Sequence, residues 1–284
     1  MTASGGASVV VLADAEAVSL AAAEDIAVAL ATAVAERGRA HLGATGGSTP
    51  AGFYRHLASS PLRETVPWDA VDIWFGDDRF VPRDHPLSNA LIVDQVLVRA
   101  AAYSGQSGGG DSGVDIERGS DPGVVIPAGA IHPFPCGIAI GEGRGAAWCA
   151  ETYAEEIRAA MPLDSSGWPV FDHLFLGIGP DGHLLSVFPG SPAIGSPDLA
   201  LAIPAPTHVE PHVERVTLNP AVIAAARRVL VVVHGASKAT VLAEIFGGAH
   251  DPSRWPAQLA LRPGATWLLD REAAARLPAD ARPV

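Results

Sequence analysis

The fold class that the sequence predicts is α/β, with a mostly parallel sheet and helices on both of its faces. Three observations carry that expectation. Apolar runs of strand length alternate with longer runs of helical spacing, the pattern of successive βαβ units. The strand runs are apolar throughout rather than alternating, as strands are when both sheet faces are covered. A chain of 284 residues with 48% hydrophobic content can also bury a sizeable core, as one large domain or two small ones.

In chain order, residues 9–12 form the first expected strand. Residues 15–37 follow as a helix, with Ile26, Leu30 and Val34 four apart and Gly38 as its stop. Residues 40–45 read as a strand, 50–57 as a short helix, 71–75 as a strand and 89–100 as a helix. Beyond Trp148 the alternation resumes with a helix to Met161 and a buried strand at 171–178. A helix from Pro220 leads into a strand at 229–234, and another helix spans 237–246. A strand at 265–269 and a terminal helix at 271–277 close the chain. One stretch interrupts the pattern: residues 104–123 (SGQSGGGDSGVDIERGSDPG) are rich in Gly, Ser and Asp and have no periodicity. They read as a flexible surface insertion within a single domain, 1–284, because βα units continue on either side.

Composition excludes several functions. A formal net charge of -12 argues against non-specific nucleic-acid binding, which needs a basic face. It leaves open a small anionic substrate held by a few local cations. Cys136 and Cys149 are too few for a disulfide framework, which points to a reducing compartment. The N-terminal stretch MTASGGASVVVLADAEA has no basic n-region, and no apolar run is read as a membrane span. A soluble, cytoplasmic protein is expected.

In an open parallel sheet, ligands collect beyond the carboxyl ends of the strands. Four loops there carry unusual residues. In GATGGSTPAGF (43–53), Gly46 and Gly47 allow close backbone approach, and Ser48 or Thr49 is expected to cap the following helix and aim its amides at an anion. The motif lacks a P-loop lysine, and Pro50 spoils a nucleophile elbow, so Ser48 is a poor nucleophile. In WFGDDRFVPRDHPLSNA (74–90), Asp77 and Asp78 can orient a histidine or a sugar hydroxyl, and Arg79 can grip a phosphate. A solvated charged turn is the plainer reading of that loop.

FLGIGPDGHLLSVFPG (175–190) delivers His183 straight after a buried strand, through Gly179, Asp181 and Gly182. Helix-like packing is expected after it, from Leu185, Val187 and Phe188. Arg215 in ERVTL and Lys238 in HGASKA precede or begin helical runs; in a chain this acidic, such cations are candidates for an anionic ligand. His208 and His212 flank Glu210 but are separated by Pro211, which breaks the continuous helix that a zinc-protease pair needs. No metal site is expected there.

GGSTP, DDRFVP followed by SN, LGIGPDGHLLSVFPG, ERVTL and the G-x-S-K-A run occur in the order seen in the 6-phosphogluconolactonase family, which this chain resembles over residues 43–239. WPAQLALRPG and WLLD extend the resemblance towards the chain end. It implies a three-layer α/β/α, Rossmann-like fold, shared with glucosamine-6-phosphate deaminase and ribose-5-phosphate isomerase. It also implies hydrolysis of 6-phosphoglucono-δ-lactone, a sugar-phosphate substrate, without metal or organic cofactor, by a monomer or weak homodimer.

On that resemblance, His183 is the general base, with Asp181, Asp78 and Arg79 completing the catalytic set. Gly46, Gly47, Ser48, Thr49, Asp77, Gly179, Gly182, Arg215 and Lys238 bind the substrate. Backbone amides of the glycine-rich turn, or Arg79, are expected to stabilise the oxyanion. Two positions depart from the family pattern: Asp78 stands where a glutamate is usual, and Leu184-Leu185 where small residues are usual. A deaminase or isomerase on the same fold would carry an Asn-Glu-Pro stretch where this chain has Val187-Phe188-Pro189-Gly190. A non-catalytic sugar-phosphate sensor on that fold is the remaining alternative.

Overall fold

The computed structural model describes residues 6–98, 123–127 and 129–281. Except for Gly123, the expected insertion at 104–123 lies outside them. In chain order the elements are β1 (Ser8–Leu12), α1 (Ala15–Arg37), β2 (Ala40–Ala44), α2 (Ser48–Ala58), α3 (Leu62–Thr65), β3 (Val71–Phe75), β4 (Asp77–Arg79) and α4 (Asn89–Ile92). Then come β5 (Ile131–His132), α5 (Cys136–Gly141), α6 (Ala146–Ala160), β6 (His173–Leu176), β7 (Ala200–Ile203) and β8 (Arg215–Leu218). The last are α7 (Ala221–Ala225), β9 (Val229–Val233), α8 (Ala239–Gly247) and β10 (Ala265–Asp270).

Seven strands form one parallel sheet in the order β1-β10-β9-β6-β2-β3-β5. From β2 the chain steps outward through β3 to β5, and from β6 it steps the other way through β9 to β10. The direction of winding therefore reverses between β2 and β6, where an open α/β sheet leaves a crevice. The central strands are apolar because both faces are covered; all five residues of β9, VLVVV, are buried. On one face lie α1 and α2, with the Phe53 ring 4.5 Å from Phe175. On the other lie α6 and α8, where Tyr153 meets Trp74 at 6.1 Å and Phe246 meets Trp267 at 5.0 Å. The fold is the α/β/α sandwich that the alternating pattern implies.

Helix α1 starts where Asp14 accepts the Ala17 N–H and stops where Gly38 turns left-handed, φ 78°, and donates to Val34 O. By length and composition it is apolar enough to cross a membrane, which corrects the reading that no run is. Its Ile26, Leu30 and Ala33 are nonetheless buried in the core.

A second sheet was not anticipated. Antiparallel β4-β8-β7 stands beside the main sheet and packs on α6. Gly76 joins the two sheets: its N–H donates to Ala44 O in β2, and its C=O accepts from Leu218 N in β8. Arg215 therefore lies on a strand, ahead of the short helix α7, and Asp77, Asp78 and Arg79 form a strand rather than a turn. Other boundaries also differ. The helix expected at 89–100 is α4 followed by a π-turn, Val93–Leu97. The helix from Pro220 ends at Ala225, and the terminal helix is a 3-10 turn, Ala273–Arg276.

Candidate active site

Four central strands, β2, β3, β6 and β9, send their C-terminal loops to one open cavity of about 230 Å³. Of the residues singled out in the sequence, Gly46, Gly47, Thr49, Asp77, Arg79, Gly179, His183, Arg215 and Lys238 line it. Asp181 and Gly182 stand behind the His183 ring. Asp78 is turned away from the cavity, and the Ser48 side chain lies outside the described parts.

The turn after β6 is built around its histidine. His183 Nδ1–H donates to Asp181 Oδ1 at 2.5 Å, and the Phe188 ring lies 4.6 Å from the imidazole. A Cβ on residue 179 would come within 2.1 Å of the ring, so only glycine lets the imidazole lie there. Gly182 supplies the left-handed bend, φ 79°. Among the described residues, His183 Nε2 has no protein partner, which leaves the nitrogen opposite the carboxylate available at the cavity. Burial pushes the Asp181 carboxyl up, but hydrogen bonds from His183 and His208 outweigh it and hold the group far below the usual carboxylate range.

No helix follows His183, contrary to expectation. Leu185 is left-handed, φ 53°, and lines the cavity, while Ser186 turns inward and donates to Asp77 Oδ2 at 2.6 Å. The amides of Gly179, Gly182 and His183 are already committed within the turn, to His183 O, Gly179 O and Asp181 Oδ1.

Cations collect on the opposite strands. Arg79 and Arg215 are direct partners in the β4–β8 ladder. Arg79 Nη1 donates to Leu87 O at 2.7 Å. Arg215 is only 3% exposed; among the described residues its side chain makes one hydrogen bond, from Nη2 to Pro211 O, and its buried Nε and Nη1 have no partner. Burial and the like charge of Arg79 pull the Arg215 guanidinium down to about 10, against the attraction of Asp77 and Asp78, so it remains charged at neutral pH. Lys238, just before α8, donates from Nζ to Ile178 O at 2.8 Å, and burial lowers its pKa.

Asp78 anchors the loop instead of reaching the imidazole. It accepts from the N–H groups of Arg79 and Asn89, both at 2.7 Å, and from Ser88 Oγ at 3.0 Å. Burial, with the neighbouring Asp77 charge, raises its carboxyl to about 7 despite those bonds. The missing methylene relative to a glutamate therefore does not bear on the His183 contact.

Helix α2 begins differently from expectation. Gly47, not Ser48 or Thr49, is its N-cap, so the cap residue offers no side chain to the first-turn amides. Asn89 and Ser186 also line the cavity but were not singled out from sequence, and Glu210, which lines it too, was named only in the dismissed zinc arrangement. The signal for Asn89 and Ser186 was present in the Ser-Asn and S-x-F-P-G runs, although nothing local marks them as facing inward. Among the described residues no three His, Cys, Asp or Glu side chains converge as a metal site. His212 instead bonds Pro206 O and Glu210.

Residues 13–269 match the family described as glucosamine-6-phosphate isomerases/6-phosphogluconolactonase. The 6-phosphogluconolactonase of Synechocystis is 33% identical over 86% of this chain and 88% of its own length. That of Mycobacterium tuberculosis is 30% identical over 95% and 98%. The solved 6-phosphogluconolactonase of Trypanosoma brucei, 28% identical, superposes with a TM-score of 0.76 over 96% of this chain and 99% of that one. With more than half of its length inside the match, the chain belongs to the glucosamine-6-phosphate isomerase/6-phosphogluconolactonase family.

Proposed function

We propose that this protein hydrolyses 6-phospho-D-glucono-1,5-lactone to 6-phospho-D-gluconate, the lactone-opening step of the oxidative pentose phosphate pathway. The observation that carries the reading is the pairing, across one cavity, of a carboxylate-oriented imidazole with a buried arginine whose Nε and Nη1 lack partners. Relatives named for this activity, matched over most of their length, support it.

A lactone is an activated ester, so water suffices as nucleophile. His183 Nε2 takes a proton from that water as its oxygen bonds to C1. Imidazole is the side chain most often used as a general base in such steps. Asp181 fixes the tautomer that leaves Nε2 unprotonated and stabilises the imidazolium that forms. When the tetrahedral intermediate collapses, the C1–ring-oxygen bond breaks and His183 returns its proton to that oxygen. Because three amides of the turn are already bonded, Arg79 is the better-placed donor to the oxyanion. The phosphate sits against Arg215 and Lys238 and the uncapped start of α2, at Gly46-Gly47-Ser48-Thr49. Asp77, held by Ser186 and Asn89, faces the sugar hydroxyls.

The test is proton release from freshly generated lactone, corrected for its spontaneous opening. Wild-type protein should accelerate release, and His183→Ala should lower kcat by roughly two to four orders of magnitude with the fold intact. Near-full turnover in that variant removes His183 from the chemistry. Activity on glucosamine 6-phosphate but not on the lactone would assign the deaminase reaction instead.

A further inference from the structure

Asp181 is shared by two imidazoles. Its Oδ1 accepts from His183 Nδ1–H at 2.5 Å, and its Oδ2 accepts from His208 Nε2–H at 2.9 Å. His208 arrives on the connection between β7 and β8, and it is not among the residues lining the cavity. Its side chain is half exposed, whereas that of Asp181 is 17% exposed. The Phe188 ring contacts both imidazoles, 4.6 Å from His183 and 5.8 Å edge-on from His208.

We propose that His208 is a positioning residue for lactone hydrolysis, which through Asp181 fixes the plane of the His183 ring and holds down its basicity. This rests on the reading of His183 as the general base. The geometric part follows from the carboxylate's freedom. With Oδ2 unoccupied, Asp181 could turn about its short side chain, and Lys238, which feels its charge, competes for it. A donor on Oδ2 pins both oxygens and therefore the ring bonded to Oδ1.

The electronic part has one sign in both states of His208. Neutral His208 donates a hydrogen bond that draws charge from the carboxylate, so the His183 imidazolium is stabilised less. Protonated His208 places a cation on the same oxygen and acts in the same sense, more strongly. The other charged or titratable groups described around the pair and the cavity that His183 faces are Lys238, at the start of α8, Asp77, Arg79 and Arg215 on the smaller sheet, His234 after β9, and Glu210 and His212, which bond each other at 3.0 Å on the same connection as His208. They are present in every variant below and do not confound the comparison.

The experiment is the pH–rate profile of His208→Ala and His208→Gln beside wild type, with His183→Ala as control. His208→Ala should lower kcat at neutral pH by about tenfold and leave KM within about twofold, because the phosphate grip is untouched. Its acid limb should move upward by roughly half a pH unit, since Asp181 then favours the imidazolium more. His208→Gln supplies an N–H donor that does not titrate, so it should recover most of the rate and return the limb towards wild type. An ¹⁵N titration of the His183 ring in the same proteins reads the shift without turnover.

A His208→Ala profile superimposable on wild type, with His183→Ala inactive, overturns this inference alone. The same holds if His208→Gln restores neither rate nor limb, or if His208→Ala acts only through KM. Full turnover in His183→Ala overturns the base reading and this inference with it.

Discussion

Arg215 shows at the scale of one residue what the proposed phosphate site rests on. A buried guanidinium normally satisfies its donors, yet Nε and Nη1 have no partner among the described residues and Arg79 stands directly opposite. On the proposed reading, a phosphate would satisfy both nitrogens and offset the Arg215 charge. Because the phosphate does not react, its contacts are similar in ground and transition states and appear mainly in KM. Arg215→Ala should therefore raise KM for the phospho-lactone by about ten- to a hundredfold, the range of a charge-assisted hydrogen bond, and change kcat far less. Unphosphorylated gluconolactone should hardly be affected. Equal losses on both lactones, in steady-state kinetics, would make Arg215 a structural residue. Its identity as a cation near the site was legible in ERVTL; its place on a strand was not, because a strand of four residues carries too little pattern. His208 was legible only as a rejected zinc ligand, since its contact with Asp181 joins loops that are distant in sequence.

At the scale of elements, the long apolar ones could be read directly: α1, β2, β3, β9 and β10 fall within a residue or two of expectation. β5 could not, because two residues have no period. Side chains hold it in place. The His132 ring stacks on Trp74, 3.8 Å between centroids and 5° from parallel, and bonds Glu156 at 2.7 Å and Asp72 at 3.2 Å. Asp72 is also paired with Arg39. Burial alone would depress the His132 pKa, but the two carboxylates outweigh it and raise it above 6.5. That stabilisation is fully present below the unfolded pKa and is lost as pH rises through the folded one. His132→Phe keeps a ring on Trp74 and removes the charge. Its stability deficit against wild type should be about 1 kcal/mol more at pH 6 than at pH 9, measured by urea unfolding. A deficit equal at both pH values would mean that packing, not ionisation, holds the edge.

At the scale of the whole molecule, parallel pairing was legible because fully apolar strands separated by helices allow little else. The smaller sheet was not. Its strands are three or four residues long, one of them reads Asp-Asp-Arg, and its register joins Asp77 to Thr217 across about half of the chain. On the proposed reading, these sheets divide the labour, with the base beyond the parallel one and the arginine pair on the antiparallel one. Gly76 is all that separates β3 from β4, with its N–H spent on one sheet and its C=O on the other. A seam one residue wide leaves no slack for either layer to loosen alone. In native-state hydrogen–deuterium exchange, the amides of Gly76 and Leu218 should open together with the buried amides of β2 and β3, at a common free energy, as a single cooperative unit. If β8 exchanges orders of magnitude faster than β2, the seam yields locally and the two sheets breathe independently.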